Sequence, residues 1–239
     1  MTPDWQLPPG VDRGLHDYLR SAEMVRGYDA MMAACPLAAT DCEYCTRWFP
    51  RPGRLLDLGC GTGRLGRQFG PLGYEVVGVD LSEEMLAAAG SHKATERETF
   101  VRANLVELDG ERFHDFDYAA CLFSTLGMVR GEPNRAAVLR NAFRALRPGG
   151  RFVLHVHNRY FQGLGVRGWR GGDLAMPQAY GGTPLTLHHY SRGEAVRALR
   201  SAGFRILEVR PVGAGGRLPM PWCLTGLQAY GYLMAAEKA

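Results

Sequence analysis

The sequence predicts an α/β fold built on a doubly wound, largely parallel sheet. From residue 54 onward, short apolar runs alternate with amphipathic stretches, the rhythm that winds strand and helix into such a sheet. The first run, "RLLDLG", breaks into alternating glycines at Gly59, Gly61 and Gly63, a turn that joins a buried strand to a helix. The element boundaries carry matching punctuation: Ser82 before "EEMLAAAG", Pro133 before a long helical stretch, and "RPGG" before "RFVLHVH".

Taken in order, "GLHDYLRSAEMVRGYDAMMAA" reads as helix. Pro36 breaks it, and "TDCEYCTRWF" resumes it with Thr40 or Asp41 as cap. Pro50, Pro52 and Gly53 close this region, so the chain divides into a helical cap over 1–52 and a sheet domain over 53–239. "RLLDLG" is the first strand, Thr62 to Phe69 a helix, and "YEVVGVD" the second strand. The helix "SEEMLAAAG" follows, with Ser82 as N-cap and Glu83 and Glu84 where the helix dipole favours anions. "ETFVRA" and "FDYAACLF" supply the third and fourth strands. A helix from Pro133 to Leu146 leads through "RPGG" into the fifth. Residues 158–190 break the rhythm. Seven of the 22 residues from Phe161 to Gly182 are glycine, so a loop or hairpin insertion is expected there. "SRGEAVRALRSAGF" restores the pattern as a helix, "RILEVRP" follows as a strand, and "LQAYGYLMAAEKA" ends the chain as another.

The chain has 239 residues, 46% of them hydrophobic, which suffices for a full core without disulfide staples. Its 28 basic and 24 acidic residues are interspersed and leave a net charge of only +4, so no nucleic-acid footprint is evident. No apolar run has the length of a membrane span, and "MTPDWQLPPG" lacks the basic and apolar regions of a signal peptide. Six cysteines then read as reduced thiols, and a soluble cytoplasmic enzyme is expected.

A glycine loop between strand and helix lets the backbone approach a nucleotide-like ligand. Gly61-Thr-Gly63-Arg-Leu-Gly66 also fits the G-x-G-x-x-G pattern of dinucleotide sites, so an NAD-dependent oxidoreductase must be weighed. Charge separates the two. A pyrophosphate wants the bare helix N-terminus, whereas Asp57, two residues before the first glycine, opposes an anion. It suits the ammonium and sulfonium groups of S-adenosylmethionine. Asp80, 19 residues past Gly61, would accept hydrogen bonds from ribose hydroxyls in either case.

The segments "LLDLGCGTGRL", "VVGVDLSEEML", "FDYAACLFSTLG", "LRNAFRALRPGGRFVLHVHN" and "LRSAGFRILEV" resemble, in order and spacing, the successive motifs of class I S-adenosylmethionine-dependent methyltransferases. The resemblance spans about residues 53–239 and implies a Rossmann-like sheet of seven strands whose last strand is antiparallel and inserted beside the sixth. It implies that Gly59, Cys60, Gly61 and Gly63 line the methionine and ribose, with Asp57 orienting the loop or the ammonium. Asp80 would bind the ribose, and Leu81 and Met85 would pack near the adenine. Asn104 stands where the family most often has aspartate, as a contact for the adenine amino group, and Leu105 would flank the ring. Leu122, Phe123 and Ser124 would lie beside the transferring methyl. Tyr28 either closes over the cofactor, as aromatic residues do in similar enzymes, or is a core residue of its helix.

Methyl transfer from a sulfonium needs chiefly an acceptor held in line behind the methyl carbon. A base is needed only where the acceptor must lose a proton. His157 and Asn158, at the carboxyl end of the fifth strand, are the candidates, and His155 reads as a hydrogen-bonded core residue. His155, His157 and His188 lack a carboxylate partner in the sequence pattern, and Cys42 and Cys45 lack a second cysteine pair, so no metal site is expected. "WRGGDLAMP", from Trp169, reads as a substrate lid or as a hairpin over the sheet edge. A small-molecule acceptor is the leading expectation. Methylation of RNA or protein, signalled only by Arg159, Arg167, Arg170 and Arg192, is the alternative, followed by a binding protein without transferase activity.

Overall fold

A computed structural model of the chain describes residues 3–161, 172–178, 183–216 and 228–239. Trp169, Arg170 and Arg167 lie outside the described residues. Nine strands are present among those described: β1 (Arg54–Leu58), β2 (Glu75–Asp80), β3 (Glu98–Arg102), β4 (Phe116–Cys121), β5 (Leu146–His157), β6 (Asp173–Met176), β7 (Leu185–His188), β8 (Phe204–Val212) and β9 (Gly231–Lys238). Seven of them form one sheet in the order β3-β2-β1-β4-β5-β9-β8. Neighbours from β3 to β5 run parallel, and β9 is antiparallel to both β5 and β8. This is the Rossmann-like sheet with the inserted antiparallel last strand. Chain order reverses between β1 and β4, which opens a crevice at the carboxyl ends of those strands.

Helices cover both faces. Helices α1 (Arg13–Leu19), α2 (Ala22–Ala33) and α3 (Pro36–Trp48) precede the sheet; α4 (Arg64–Phe69) and α5 (Glu83–Ser91) follow β1 and β2. A short α6 (Thr125–Met128), then α7 (Glu132–Ala145) and α8 (Arg192–Ser201), complete the set. One core layer sets Leu56, Leu58, Leu154 and Val156 against α7 and α8; the other sets Leu55 and Val153 against Leu37, Tyr44 and Leu65 of α3 and α4. Strand alternation explains the division. It also sends Asp57, His155 and His157 to the α3 and α4 face, in step with Leu55 and Val153.

The N-terminal helices depart from the expected boundaries. The chain breaks at Arg20–Ser21, where no glycine or proline signals it; Ser21 Oγ accepts from Met24 N at 3.2 Å and starts α2. Pro36 opens α3, and Thr40 and Asp41 lie inside it. Proline has no N–H to lose in a first turn, so a break signal doubles as a start signal. "RPGG" is a bulge within β5: Leu146 pairs with Phe116 and Arg151 with Tyr118, and the residues between are looped out. In the 158–190 region, β6 and β7 form an antiparallel hairpin. Among the described residues no helix is long and apolar enough to cross a membrane.

Candidate functional site

The glycine loop leaves β1 at the switch point. Gly59 N and Cys60 N both donate to Val79 O, at 2.8 and 3.0 Å, which ties the loop to the end of β2. Gly59 has φ +81°, and a Cβ there would stand 2.4 Å from Thr125 Cγ2, so only glycine lets α6 close on the loop. Gly61, at φ +53°, faces outward; the nearest side chain to a Cβ there is Tyr28, 3.4 Å away on α2. Gly63 caps α4 and faces Phe100, away from the crevice.

Asp80 ends β2 and organises the loop. Its Oδ2 accepts from Gly61 N and its Oδ1 from Ser82 N, each at 2.9 Å. Each oxygen keeps a lone pair for a ligand hydroxyl. Burial raises its pKa, an effect the backbone N–H groups partly offset. Ser82 Oγ accepts from Met85 N at 3.2 Å, the cap read from the sequence.

A cleft opens here, over the glycine loop. Gly59, Gly61, Asp80, Leu81, Met85, Asn104, Leu105 and Tyr28 line it. A second chamber continues from it past Tyr18, Tyr28, Gly59, Thr125 and Met128, which border both. Asp57, Cys60, Leu122, Phe123 and His157 line this chamber, together with Leu185, Leu187 and Tyr230.

Asp57 is the electrostatic anomaly. It is 4% exposed, and among the described residues no donor makes a hydrogen bond to its carboxylate. Burial pushes its pKa up to about 7; Arg64 draws it down less strongly, and Asp80 adds repulsion. A buried carboxylate in this state calls for a cationic, hydrogen-bonding partner.

Three expected site residues are placed elsewhere than on these walls. Ser124 is fully buried; its N–H donates to His155 O at 3.1 Å, and it and Phe123 adopt left-handed backbone, φ +63° and +51°. Asn158 spends its amide inside the fold, donating from Nδ2 to Ala229 O at 2.8 Å and accepting at Oδ1 from Tyr160 N at 3.2 Å. It pins the strand end and leaves the chamber to His157. Gly63 is the third, for the capping reason above. Asn104 borders the cleft; its Nδ2 donates to Pro9 O at 3.0 Å and its Oδ1 accepts from Val106 N at 3.0 Å. It holds the N-terminal segment over the cleft.

The N-terminal helices and the 158–190 insertion were expected to flank an acceptor pocket, without the individual residues. Pro9, Gly10, Val11, Leu15, Tyr18 and Leu19 roof the cleft, and Leu185 and Leu187 bring the hairpin to the chamber. The hairpin is fastened by His188, whose Nδ1 lies 2.6 Å from Asp173 and whose Nε2 lies 2.8 Å from Glu194. His155 is wholly buried, as expected of a core residue, but among the described residues neither ring nitrogen makes the hydrogen bond that was expected with it. His157 is held well below the ordinary histidine range, chiefly by burial, with His155 and His189 adding to it. Its Nε2 is sealed and unpartnered, leaving Nδ1 as the nitrogen that can meet a ligand.

Comparison with known proteins now settles the family. Residues 56–152 match a family profile described as a methyltransferase domain. The ubiquinone biosynthesis O-methyltransferase of Xanthomonas axonopodis pv. citri is 31% identical over 207 residues, covering 82% of this chain and 81% of that protein. The chain belongs to the class I S-adenosylmethionine-dependent methyltransferases. Other curated methyltransferases align over less: this chain spans about half the length of several, including 54% of the Idiomarina loihiensis ubiquinone biosynthesis O-methyltransferase, at 30% identity. Among solved structures, the 1,6-didemethyltoxoflavin-N1-methyltransferase of Burkholderia thailandensis superposes with TM-score 0.67 at 21% identity, covering 98% of this chain and 93% of that one. The CcbJ methyltransferase of Streptomyces caelestis gives 0.70 at 21% identity, covering 90% and 96%. At such identities the likeness is one of methyltransferase fold.

Proposed function

We propose that this methyltransferase uses S-adenosylmethionine to methylate an O, N or C nucleophile of a small-molecule acceptor. The observation that carries the reading is Asp57: a buried carboxylate without a donor, on the wall of the chamber that continues from the glycine-loop cleft.

The residues fit the cofactor. Asp57 offers an anion where the amino acid ammonium would lie, and Asp80 retains acceptors for the ribose hydroxyls. Gly61 leaves room for the ligand under Tyr28, and Leu81, Met85, Leu105 and Val106 form an apolar slot for the adenine. When bound, the cofactor supplies a methyl on a sulfonium, already activated for displacement. The protein's task is then placement and exclusion of water. Tyr18, Tyr28 and Met128 stand at the boundary between cleft and chamber, where an acceptor must line up behind the methyl. Phe123, Tyr230, Leu185 and Leu187 favour an acceptor with apolar, flat surface. His157, held neutral by burial, can orient an acceptor group by accepting a hydrogen bond at Nδ1; the same burial makes it a weak base.

The enclosed chamber supports a small acceptor over RNA or protein. Arg159, one of the arginines that signalled a macromolecule, is paired with Glu194 at 2.9 Å. Incubation with labelled S-adenosylmethionine and a panel of small aromatic and heteroaromatic acceptors tests the reading. Label in a small product supports it; label only in added RNA or protein overturns it.

A further inference from the structure

Arg64 is the first residue of α4 and shares the chamber wall with Asp57. A guanidinium beside a buried, donorless carboxylate would ordinarily close on it as a bidentate pair. Here it does not. Nη1 donates to Ala38 O at 2.5 Å and reaches Cys42 Sγ at 3.4 Å, while Nη2 lies 3.5 Å from Asp41 Oδ2. Ala38, Asp41 and Cys42 are spaced to share one face of α3, so a single helix face collects the whole guanidinium.

Asp41 is itself immobilised. It is fully buried within α3, and its Oδ1 approaches His155 Nδ1 to 2.7 Å, off the line of a hydrogen bond. His155 is equally buried on β5. The carboxylate is therefore fixed between a histidine of the sheet and the arginine of the glycine-loop helix. Among the groups that favour the charged arginine, Asp41 acts most strongly and Asp57 least.

We propose that Asp41 is a positioning residue that holds Arg64 against α3, away from Asp57, and so keeps the Asp57 carboxylate open to the cationic group of the cofactor. The inference rests on the cofactor reading above. Without the Asp41 charge, Arg64 turns to Asp57 and forms an internal ion pair in the place the ligand ammonium needs. The ligand then competes with an intramolecular cation, although Asp41 never touches it.

Calorimetric titration with S-adenosylhomocysteine tests this, alongside thermal melts to establish that each variant is folded. Asp41→Asn should bind at least about tenfold more weakly than the parent, a loss of roughly 1.4 kcal/mol. Adding Arg64→Gln in the same chain should restore affinity to within about threefold, because the competing cation is gone. Arg64→Gln alone, titrated at pH 8.5 so that loss of the Arg64 charge does not leave Asp57 protonated, should bind within about threefold of the parent, and it remains decisive even where Asp41→Asn does not fold. A role for Asp41 in packing alone predicts a loss that Arg64→Gln leaves unrepaired, and that result overturns the proposal. A tenfold loss in Arg64→Gln alone assigns the arginine to the ligand itself and also overturns it. If the parent protein fails to bind, the cofactor reading falls first, and the two failures are thereby distinguished.

Discussion

Replacing Asp57 by asparagine should stabilise the ligand-free protein while weakening its hold on the cofactor. Folding moves this carboxyl from an ordinary pKa of 3.8 to about 7. The folded chain thus binds a proton that the unfolded chain has released, and stability declines as pH rises between those values. Above pH 7 the full penalty is present. Three pH units at about 1.4 kcal/mol each put it near 4 kcal/mol. Asparagine keeps the shape and removes the charge. For a chain of this size about 1 kcal/mol shifts the melting midpoint by 2–4 °C, so Asp57→Asn should raise it by roughly 8 °C or more at pH 8. At pH 4, where the native carboxyl is already protonated, the gain should nearly vanish. Differential scanning calorimetry at the two pH values, with and without S-adenosylhomocysteine, reads both effects. The ligand should raise the midpoint of the parent and hardly that of the variant. A variant less stable than the parent at pH 8, or equally stabilised at both pH values, would refute the reasoning.

Three further expectations follow from the same geometry. Ligand affinity of the parent should fall about tenfold for each pH unit below 7, as the Asp57 carboxylate that must meet a cation becomes protonated; calorimetry showing a flat profile from pH 7 to 5 would contradict it. Gly59→Ala should cost about 3 kcal/mol, part from its positive φ and part from the clash with Thr125 Cγ2 and Oγ1, and in a Thr125→Ala background, which removes both atoms, urea unfolding should show most of the second part gone. The hairpin fastening should fail in acid: the His188 and arginine partners hold Asp173 and Glu194 below their ordinary ranges, so their contribution persists above those ranges and is lost as pH falls beneath about 4. Amide exchange in residues 172–178 and 183–188 should accelerate there ahead of exchange in β1 and β4.

The parallel core of the fold was legible because each strand carries its own signal. "RLLDLG" and "YEVVGVD" are buried apolar runs ended by a glycine turn and a capped helix, and local chemistry fixes both ends. Asp57 and Asp80 entered the candidate site by charge and spacing: a carboxylate just before the glycines opposes a pyrophosphate, and another ends the next strand 19 residues past Gly61. Asn104 borders the cleft, and its amide is also claimed by Pro9, 95 residues away in sequence, which no local pattern reveals. The N-terminal helices were expected beside an acceptor pocket, but not the particular residues that roof the cleft. Leu15 and Leu19 look like any apolar helix face, and only tertiary packing sends Tyr18 to the ligand side. Asn158 misled because the carboxyl end of β5 is the right edge of the sheet. The backbone there needed the amide to satisfy Ala229 O, which no pattern within "HVHNRY" reveals.

The central claim is that the glycine loop and Asp57 receive a cationic nucleoside and reject a pyrophosphate. Calorimetric titration of the purified protein with S-adenosylhomocysteine, against NAD under the same conditions, tests it most directly. One-to-one binding in the micromolar range is expected for S-adenosylhomocysteine, and no heat beyond dilution for NAD. Binding of NAD alone, or of neither ligand, would contradict the claim.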